Sequence, residues 1–162
     1  MAEDGKVMKS LIEQFLTQYM SHFPFEKAIE NFPTDKINEQ PPNSPFGFWE
    51  LLEHIRRLFQ DIVDYVFDEN YEYIHSDNKY WPAKSNHPVS GTAWNQTIDE
   101  IRRLYSEVEN LVKDENTVLT NELKYQKGTG HTYLRQLLMI IDHNSYHIGQ
   151  FILMRKLLNI WQ

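Results

Sequence analysis

The feature that most constrains the fold is the stretch of residues 134–154, which is strongly apolar and follows a helical repeat. One narrow polar stripe of the helix is marked by residues that recur every seven positions, within this stretch and just beyond it: Arg135, Asp142, Gly149 and Lys156. Leucine, isoleucine and phenylalanine occupy most other directions. Because a helix that is apolar on most sides is usually buried, we expect this segment to be the central helix of an all-α fold, ending near Leu158.

Three other segments show the same helical spacing of apolar residues. They run from Val7 to Tyr19, from Phe48 to Val66 and from Trp94 to Val112. Residues 24–32 add a short helix with a proline in its first turn. We find no strand-length alternation between hairpin turns and no internal repeat. Four long amphipathic helices predict a four-helix bundle, built as a single domain of residues 1–162.

The links between these segments predict how the helices are joined. Ser44 and Pro45 are expected to cap and begin the second long helix, and Thr92 or Ser90 to cap the third. Residues 70–91 carry several aromatic residues and no repeat. A link this long has room to cross a bundle from end to end, so we expect a long crossover between the second and third long helices, which then run parallel.

Composition excludes several functional classes. The chain has 16 lysines and arginines against 23 aspartates and glutamates, a net charge of −7, so clustered cations for nucleic acid are missing. Without cysteine, neither disulfides nor thiolate metal ligands can form. The N-terminus has no signal-peptide pattern, and no apolar run approaches membrane-spanning length. We expect a cytoplasmic protein that acts without nucleic acid or a membrane.

Two histidines lie four residues apart on the apolar helix. His143 and His147 project roughly 100° and 140° away from Asp142, which places them toward the protein interior. Two imidazoles on one helical face can bind the same metal ion. Buried histidines that bond to carbonyl, tyrosine or asparagine groups would show the same spacing. The pair alone therefore leaves both interpretations open.

A metal site needs a third ligand from another helix, and His54 is the best candidate because it borders the apolar face of the second long helix. Three imidazoles without a carboxylate would leave coordination positions open, as catalytic sites do. Zinc and nickel both suit imidazole. The other histidines are expected in loops or at helix ends, where contact with water is usual: His22, His75, His87 and His131.

Several residues are candidates for supporting roles around such a site. Glu50 lies one turn before His54, and Gln150 lies near the helical face of the histidine pair, so either can orient a ligand or a bound water molecule. Both residue types are equally at home on the rim of a helix. A pocket for a small substrate would be lined by four further residues: Trp49, Leu51, Tyr65 and Tyr146.

Two motifs, taken together, resemble the DinB-like superfamily of DinB/YfiT-type metalloenzymes. They are residues 49–54, WELLEH, and residues 142–150, DHNSYHIGQ. Further similarities are Tyr80-Trp81-Pro82 in the long link, Trp94 near the start of the third long helix, and the ending Arg155…Leu158…Trp161. One departure is Asn159, which stands where the family usually has glycine.

The resemblance implies a four-helix bundle with up-down-down-up topology. It also implies one divalent metal ion bound by His54, His143 and His147, and zinc or nickel is expected from the imidazole ligands. Some relatives are thiol-dependent S-transferases or isomerases, and many are dimers. The resemblance thus predicts a metal-dependent enzyme that acts on a small molecule with a low-molecular-weight thiol.

Two alternatives use the same ligands: a metal-dependent hydrolase, and a non-catalytic, metal-stabilised stress-response or dimerisation module. In a homodimer, Trp81 and Trp94 would be buried against the second copy.

Overall fold

The computed structural model describes residues 2–73, 80–84 and 87–161. This part of the chain contains five α-helices and a short 3₁₀ turn, Thr34–Lys36. No β-strand occurs in it, apart from one isolated bridge between Glu122 and Thr132. The all-α prediction is confirmed, and His75 lies outside the described residues. The helices are α1 (Ala2–Thr17), α2 (Phe25–Ile29), α3 (Phe48–Phe67), α4 (Gly91–Lys113) and α5 (Tyr133–Leu157).

The four long helices pack around one apolar core. Helix α3 contacts both α4 and α5, while α1 lies against α4 and α5, and short α2 packs on α5. Fully buried side chains from three helices meet at its centre: Leu52, Phe59, Ile101, Leu104 and Leu137. Helices α3 and α4 are amphipathic, so burying one face of each against its neighbours removes apolar surface from water. None of the helices described is long and apolar enough to cross a membrane.

Helix α5 is less buried than its sequence predicts. Its inner face carries Ile140, His147 and Phe151, but a second apolar row lies on the surface of the chain. The exposed fraction is 50% or more for four of these side chains: Leu138, Tyr146, Leu153 and Leu157. The helix contacts neighbours on one side only, and its apolar residues exceed what that side can bury. The expectation of burial on most sides is therefore wrong.

Trp94 belongs to the core of its own chain. Its side chain is 2% exposed, and its ring stacks on Phe32 with the two centroids 4.8 Å apart. The Trp81 ring also has a partner within the chain, because it stacks on the Phe46 ring with the two centroids 4.9 Å apart. The expectation that both tryptophans are available to a second copy is wrong for Trp94, whose apolar surface is already covered within the chain.

The N-terminal caps of α3 and α4 differ in how well they could be predicted. Ser90, one of the two residues predicted to cap α4, does so: its side chain accepts a hydrogen bond from the backbone N–H of Ala93. Helix α3 begins later than Ser44 and Pro45, with Gly47 at its N-cap. The Gly47 N–H donates to the Glu50 carboxylate at 2.8 Å, which is one half of a capping box. Ser44 instead bonds locally to the carbonyl oxygen of Phe46.

Gly47→Ala should destabilise the fold, because the new methyl group has no space. A Cβ at this position would lie 2.7 Å from Glu50 Oε2 and 2.9 Å from the backbone oxygen of Glu39. The Glu39 oxygen also accepts the N–H of Phe48, so it cannot retreat freely. We expect a loss of about 1–3 kcal/mol in the free energy of unfolding, measured by urea denaturation. Gly91→Ala is the matched control, since its Cβ would meet nothing within 4 Å. An equal loss in both variants would contradict the steric explanation.

The C-terminus of α5 ends in a Schellman motif. Asn159 adopts a left-handed backbone conformation, with φ of 56°. Its N–H bonds to the carbonyl of Lys156, and the N–H of Ile160 bonds to the carbonyl of Arg155. Asparagine tolerates this conformation better than other non-glycine residues. The departure from glycine at this position therefore leaves the helix ending intact.

Candidate metal centre

Three histidines converge between α3 and α5. His54 Nε2 lies 3.0 Å from His147 Nε2 and 3.2 Å from His143 Nε2. Each residue offers one nitrogen, and the three nitrogens lie within 4.8 Å of one another. His143 and His147 meet because they lie one turn apart on α5, and His54 faces them from α3. These three side chains can therefore hold one metal ion.

The nitrogen separations fit a shared divalent ion. Imidazole nitrogens at about 2.1 Å from one ion lie about 3.0 Å apart at a right angle and about 3.4 Å apart at a tetrahedral angle. The observed separation of 3.0 Å equals the right-angle value, and that of 3.2 Å lies between the right-angle and tetrahedral values. Within the residues described, no carboxylate or fourth histidine joins the cluster. Three protein ligands leave room for a non-protein ligand, as in catalytic zinc sites.

The second nitrogen of each ring has its own oxygen partner. His54 Nδ1 lies 3.2 Å from the carbonyl oxygen of Tyr80, and His147 Nδ1 lies 2.7 Å from Gln150 Oε1. His143 Nδ1 lies 3.1 Å from the side-chain oxygen of Asn144. Because these oxygens accept, the protons lie on Nδ1 and each Nε2 presents a lone pair to the shared space. This is the tautomer that binds metal through Nε2.

Burial keeps the three imidazoles neutral. It lowers the pKa of His54 and of His147 to about 4, and repulsion from His143 adds to both shifts. Burial also lowers the pKa of His143. Neutral imidazole is the form that coordinates a metal ion. The Nε2 lone pairs of His147 and His143 lie 3.0 and 3.2 Å from that of His54 and repel it, so a cation between the three would relieve the arrangement.

Asn144 links this centre to α4, a role that sequence patterns did not reveal. Its side chain is 3% exposed and donates to the Tyr105 hydroxyl at 3.0 Å while its oxygen faces His143. Burial raises the pKa of Tyr105 to about 12, so the phenol stays protonated. The available sequence signal was an asparagine within the apolar helix, because an amide side chain that becomes buried needs hydrogen-bond partners.

Residues from the long link cover one face of the site. The Trp81 ring lies parallel to the His54 ring, with centroids 3.9 Å apart and planes 9° from coplanar. The Trp81 carbonyl oxygen lies 3.5 Å from Arg57 Nη1. The stacked Trp81 ring and the Tyr80 carbonyl together fix the orientation of the His54 ring. Both residues lie in a segment without periodicity, so their role depends on tertiary structure alone.

Glu53, next to His54 in the sequence, faces away from the metal ligands. Its carboxylate is 6% exposed and accepts from Arg56, Arg57 and, at 3.4 Å, from Thr97 on α4. Burial alone would raise its pKa, but the two arginine hydrogen bonds outweigh burial and lower it. Glu53 thus anchors α3 to α4 as a paired charge.

The two residues expected to support the ligands lie in different places. Gln150 contacts His147 directly, at 2.7 Å from its Nδ1. Glu50 contacts the Gly47 N–H, which gives its carboxylate a capping function at the start of α3. Since a capping carboxylate is already oriented toward the helix end, only Gln150 is seen to contact a metal-ligand candidate.

The four expected pocket residues are not gathered around one space. Leu51 is fully buried in the core, and Trp49 packs against that core. Tyr65 lies about 21 Å along α3 from Leu51, at 1.5 Å per residue, and bonds to His131 Nδ1. Tyr146 is 64% exposed, and its ring meets His147 edge-on at 4.9 Å. Of the four, Tyr146 is the one in ring contact with a metal-ligand candidate.

The other described histidines lie outside the cluster. His22 bonds to Ser145 through Nε2 at 2.8 Å, and His131 bonds to Tyr65. His87 is exposed. The structure therefore brings together the three histidines selected from the sequence, and the three with surface or loop positions stay apart from them.

Comparison with known proteins assigns the chain to a family. No curated protein and no solved structure shows a significant match to the chain. A family model described as the DinB superfamily matches residues 24–151, which extend from the start of α2 through most of α5 and include all three histidines. The match covers more than half of the chain, and the chain belongs to the DinB superfamily.

Proposed function

We propose that the protein binds one divalent metal ion, zinc or nickel, through the Nε2 atoms of His54, His143 and His147. The observation that carries this proposal is the convergence of three Nε2 atoms whose partner Nδ1 atoms each face an oxygen. In a purely structural set, a protein group other than another imidazole would bond each Nε2 atom. Imidazole ligands suit both metals.

We further propose that the bound metal serves a reaction on a small molecule, of the thiol S-transferase or isomerase type. Such an ion acts as a Lewis acid and lowers the pKa of a coordinated thiol or water. The chain's contribution is to hold three neutral ligands and leave access, since His143 is only partly buried beside exposed Tyr146. Family resemblance supports the thiol chemistry, and hydrolysis with the same ligands is the alternative.

The test supplies a generic electrophile, 1-chloro-2,4-dinitrobenzene, with glutathione, cysteine or 2-mercaptoethanol to zinc- or nickel-loaded protein. We expect thiol consumption above the background rate with at least one thiol, and loss of that excess rate in His54→Ala. A matched control is His87→Ala, which removes an exposed imidazole outside the cluster. Absence of turnover with every thiol, at full metal loading, would argue against the transferase. An ester panel then tests hydrolysis.

A non-catalytic role is the second candidate, because the histidines join two different helices. A metal held by α3 and α5 stabilises the folded chain by mass action. At free metal one hundred times its Kd, this amounts to about 2.7 kcal/mol. Removing the metal with a chelator should then lower the thermal midpoint by about 5–10 °C. Scanning calorimetry of loaded and stripped protein measures this shift. A large shift without turnover favours the structural role, and no shift contradicts metal binding to the folded state.

We also propose the up-down-down-up order for the four long helices. Gln60 of α3 bonds to Arg103 of α4, and Glu53 contacts Thr97, so residue numbers rise together along these two helices. Numbers run oppositely between α3 and α5, where His54 meets His147 and Tyr65 meets His131. Lys9 of α1 bonds to the carbonyl of Asp114, at the end of α4. These contacts support the crossover inferred from the long link.

A homodimer is the proposed assembly. The exposed apolar row on α5 supports it, because single-chain proteins rarely leave such a row uncovered. Leu153 and Leu157 lie one turn apart on this surface, and both are more than half exposed. Light scattering over a range of protein concentrations tests the assembly, and a strict monomer overturns it.

A further inference from the structure

A cavity lies between α3 and α5, beyond the histidines. Its volume is about 350 Å³, at the small end of the range for small-molecule sites. Asp61 follows His54 by seven residues, and Gln136 precedes His143 by seven, so the cavity lies about 10 Å along each helix from the metal-ligand candidates. None of the three histidines lines it. The cavity is therefore separate from the proposed metal centre.

The α5 side of this cavity carries two polar groups, Gln136 and Arg135, for which the described part of the chain offers no side-chain partner. Gln136 is 3% exposed, and its Nε2 has no hydrogen-bond partner among the residues described. A buried amide in this state costs about 1–3 kcal/mol, which a bound acceptor would recover. Arg135, one residue earlier, lines the same cavity, and no carboxylate among the described residues pairs with its guanidinium. The buried Gln136 amide therefore lacks an acceptor, and the exposed Arg135 can donate to the same bound acceptor.

The opposite side is aromatic. Tyr65, Tyr71 and Tyr80 line the cavity, and the rings of Tyr65 and Tyr71 meet edge-to-face with centroids 5.1 Å apart. The hydroxyls of Tyr71 and Tyr80 donate to the two oxygens of Asp61, at 3.1 and 2.8 Å. These hydrogen bonds fix both rings. Asp61 would repel an anion on its own side, so the negative end of a ligand belongs at Arg135.

We propose that this cavity is a binding site for a small aromatic carboxylate. The ring of the ligand packs against the tyrosines, and its carboxylate accepts from the Arg135 guanidinium and from Gln136 Nε2. A planar carboxylate matches the donor fork of arginine. Ring stacking against tyrosine supplies the apolar contact. The assignment goes beyond the proposed metal function, since it uses none of the metal-ligand candidates.

Titration of the full chain with phenylacetate, followed by NMR, tests this site with and without zinc. We expect saturable shifts in the Gln136 side-chain amide and in the rings of Tyr65 and Tyr71. Arg135→Gln should weaken binding about tenfold, through loss of a charge-assisted hydrogen bond. Phenylacetamide, the neutral analogue, should bind the original protein more weakly by a similar factor. Lys156→Gln is the control, an exposed cation on α5 outside the cavity.

Gln136→Leu separates a ligand contact from a packing role. It removes the unpaired amide with little change in volume, so phenylacetate affinity should fall while the thermal midpoint stays the same or rises. A lower midpoint with unchanged affinity would overturn the assignment. Equal affinity for phenylacetate and phenylacetamide, or no saturable shift, would overturn it too. Zinc binding measured on the same samples distinguishes failure at this cavity from failure at the histidines.

Discussion

His147→Ala should lower the affinity for zinc by at least about a hundredfold. Loss of a group that merely orients a metal ligand already costs 10- to 100-fold, and His147 is one of the proposed ligands. Its Nε2 lies 3.0 Å from that of His54, so its removal leaves a two-nitrogen site. Metal analysis of protein purified without an affinity tag, followed by competition with a chromophoric chelator, measures the change.

The control for this result is His87→Ala, which removes an exposed histidine and should leave the zinc affinity unchanged. The metal-free His147→Ala protein should still fold, because the substitution also removes one of three lone pairs that repel one another. Retention of one tightly bound zinc in His147→Ala would refute the three-histidine site. Equal losses in both variants would point to non-specific binding by surface histidines.

The convergence of the histidines was predictable from sequence because helical geometry fixes directions. A spacing of four puts His143 and His147 on one face, and the apolar residues around His54 place it at the edge of the core. A second helix then needs only to pack in the right register. The sequence could not supply that register, which depends on contacts between α3 and the region where α5 begins, such as the Tyr65 hydroxyl 2.8 Å from His131 Nδ1.

What the sequence could not reveal was the environment of the ligands. Tyr80 and Trp81 lie in a link without periodicity, so no rule places their carbonyl and ring against His54. Leu51 was expected beside a pocket, but its direction on α3 puts it in the core. Periodic segments carry directional information, whereas irregular segments take their positions from the packed helices around them.

Arg155 illustrates a further gap between pattern and structure. It follows the apolar part of α5, where a cation usually interacts with the helix terminus and water. Instead it is 2% exposed, with Nη1 bonded to the carbonyl oxygens of Ala28 and Glu30 at 2.6 and 3.0 Å. Its Nη2 donates to the carbonyl of Ile160 at 3.1 Å. One guanidinium thereby joins the end of α2, the last turn of α5 and the C-terminal segment.

Arg155→Met should lower the free energy of unfolding by about 3–5 kcal/mol. Methionine fills much of the space but donates no hydrogen bond, so three backbone carbonyls lose their donor, and each buried one costs about 1–3 kcal/mol. The contact of the guanidinium with the Trp161 ring, 4.9 Å from the centroid, is lost as well. Urea denaturation followed by fluorescence measures the effect, with an unchanged m-value as the check on two-state behaviour.

Two further substitutions decide whether shape or charge matters at this position. Arg155→Lys keeps the positive charge, but a single ammonium group cannot span carbonyls from two segments as the guanidinium fork does, so it should recover only part of the loss. Lys156→Met changes an exposed neighbour and should stay within about 0.5 kcal/mol of the original protein. If Arg155→Lys were as stable as the original, the charge alone would suffice and the bridging role would be wrong. If Arg155→Met were as stable, the carbonyls must be satisfied by water, and the position of α2 would not depend on Arg155.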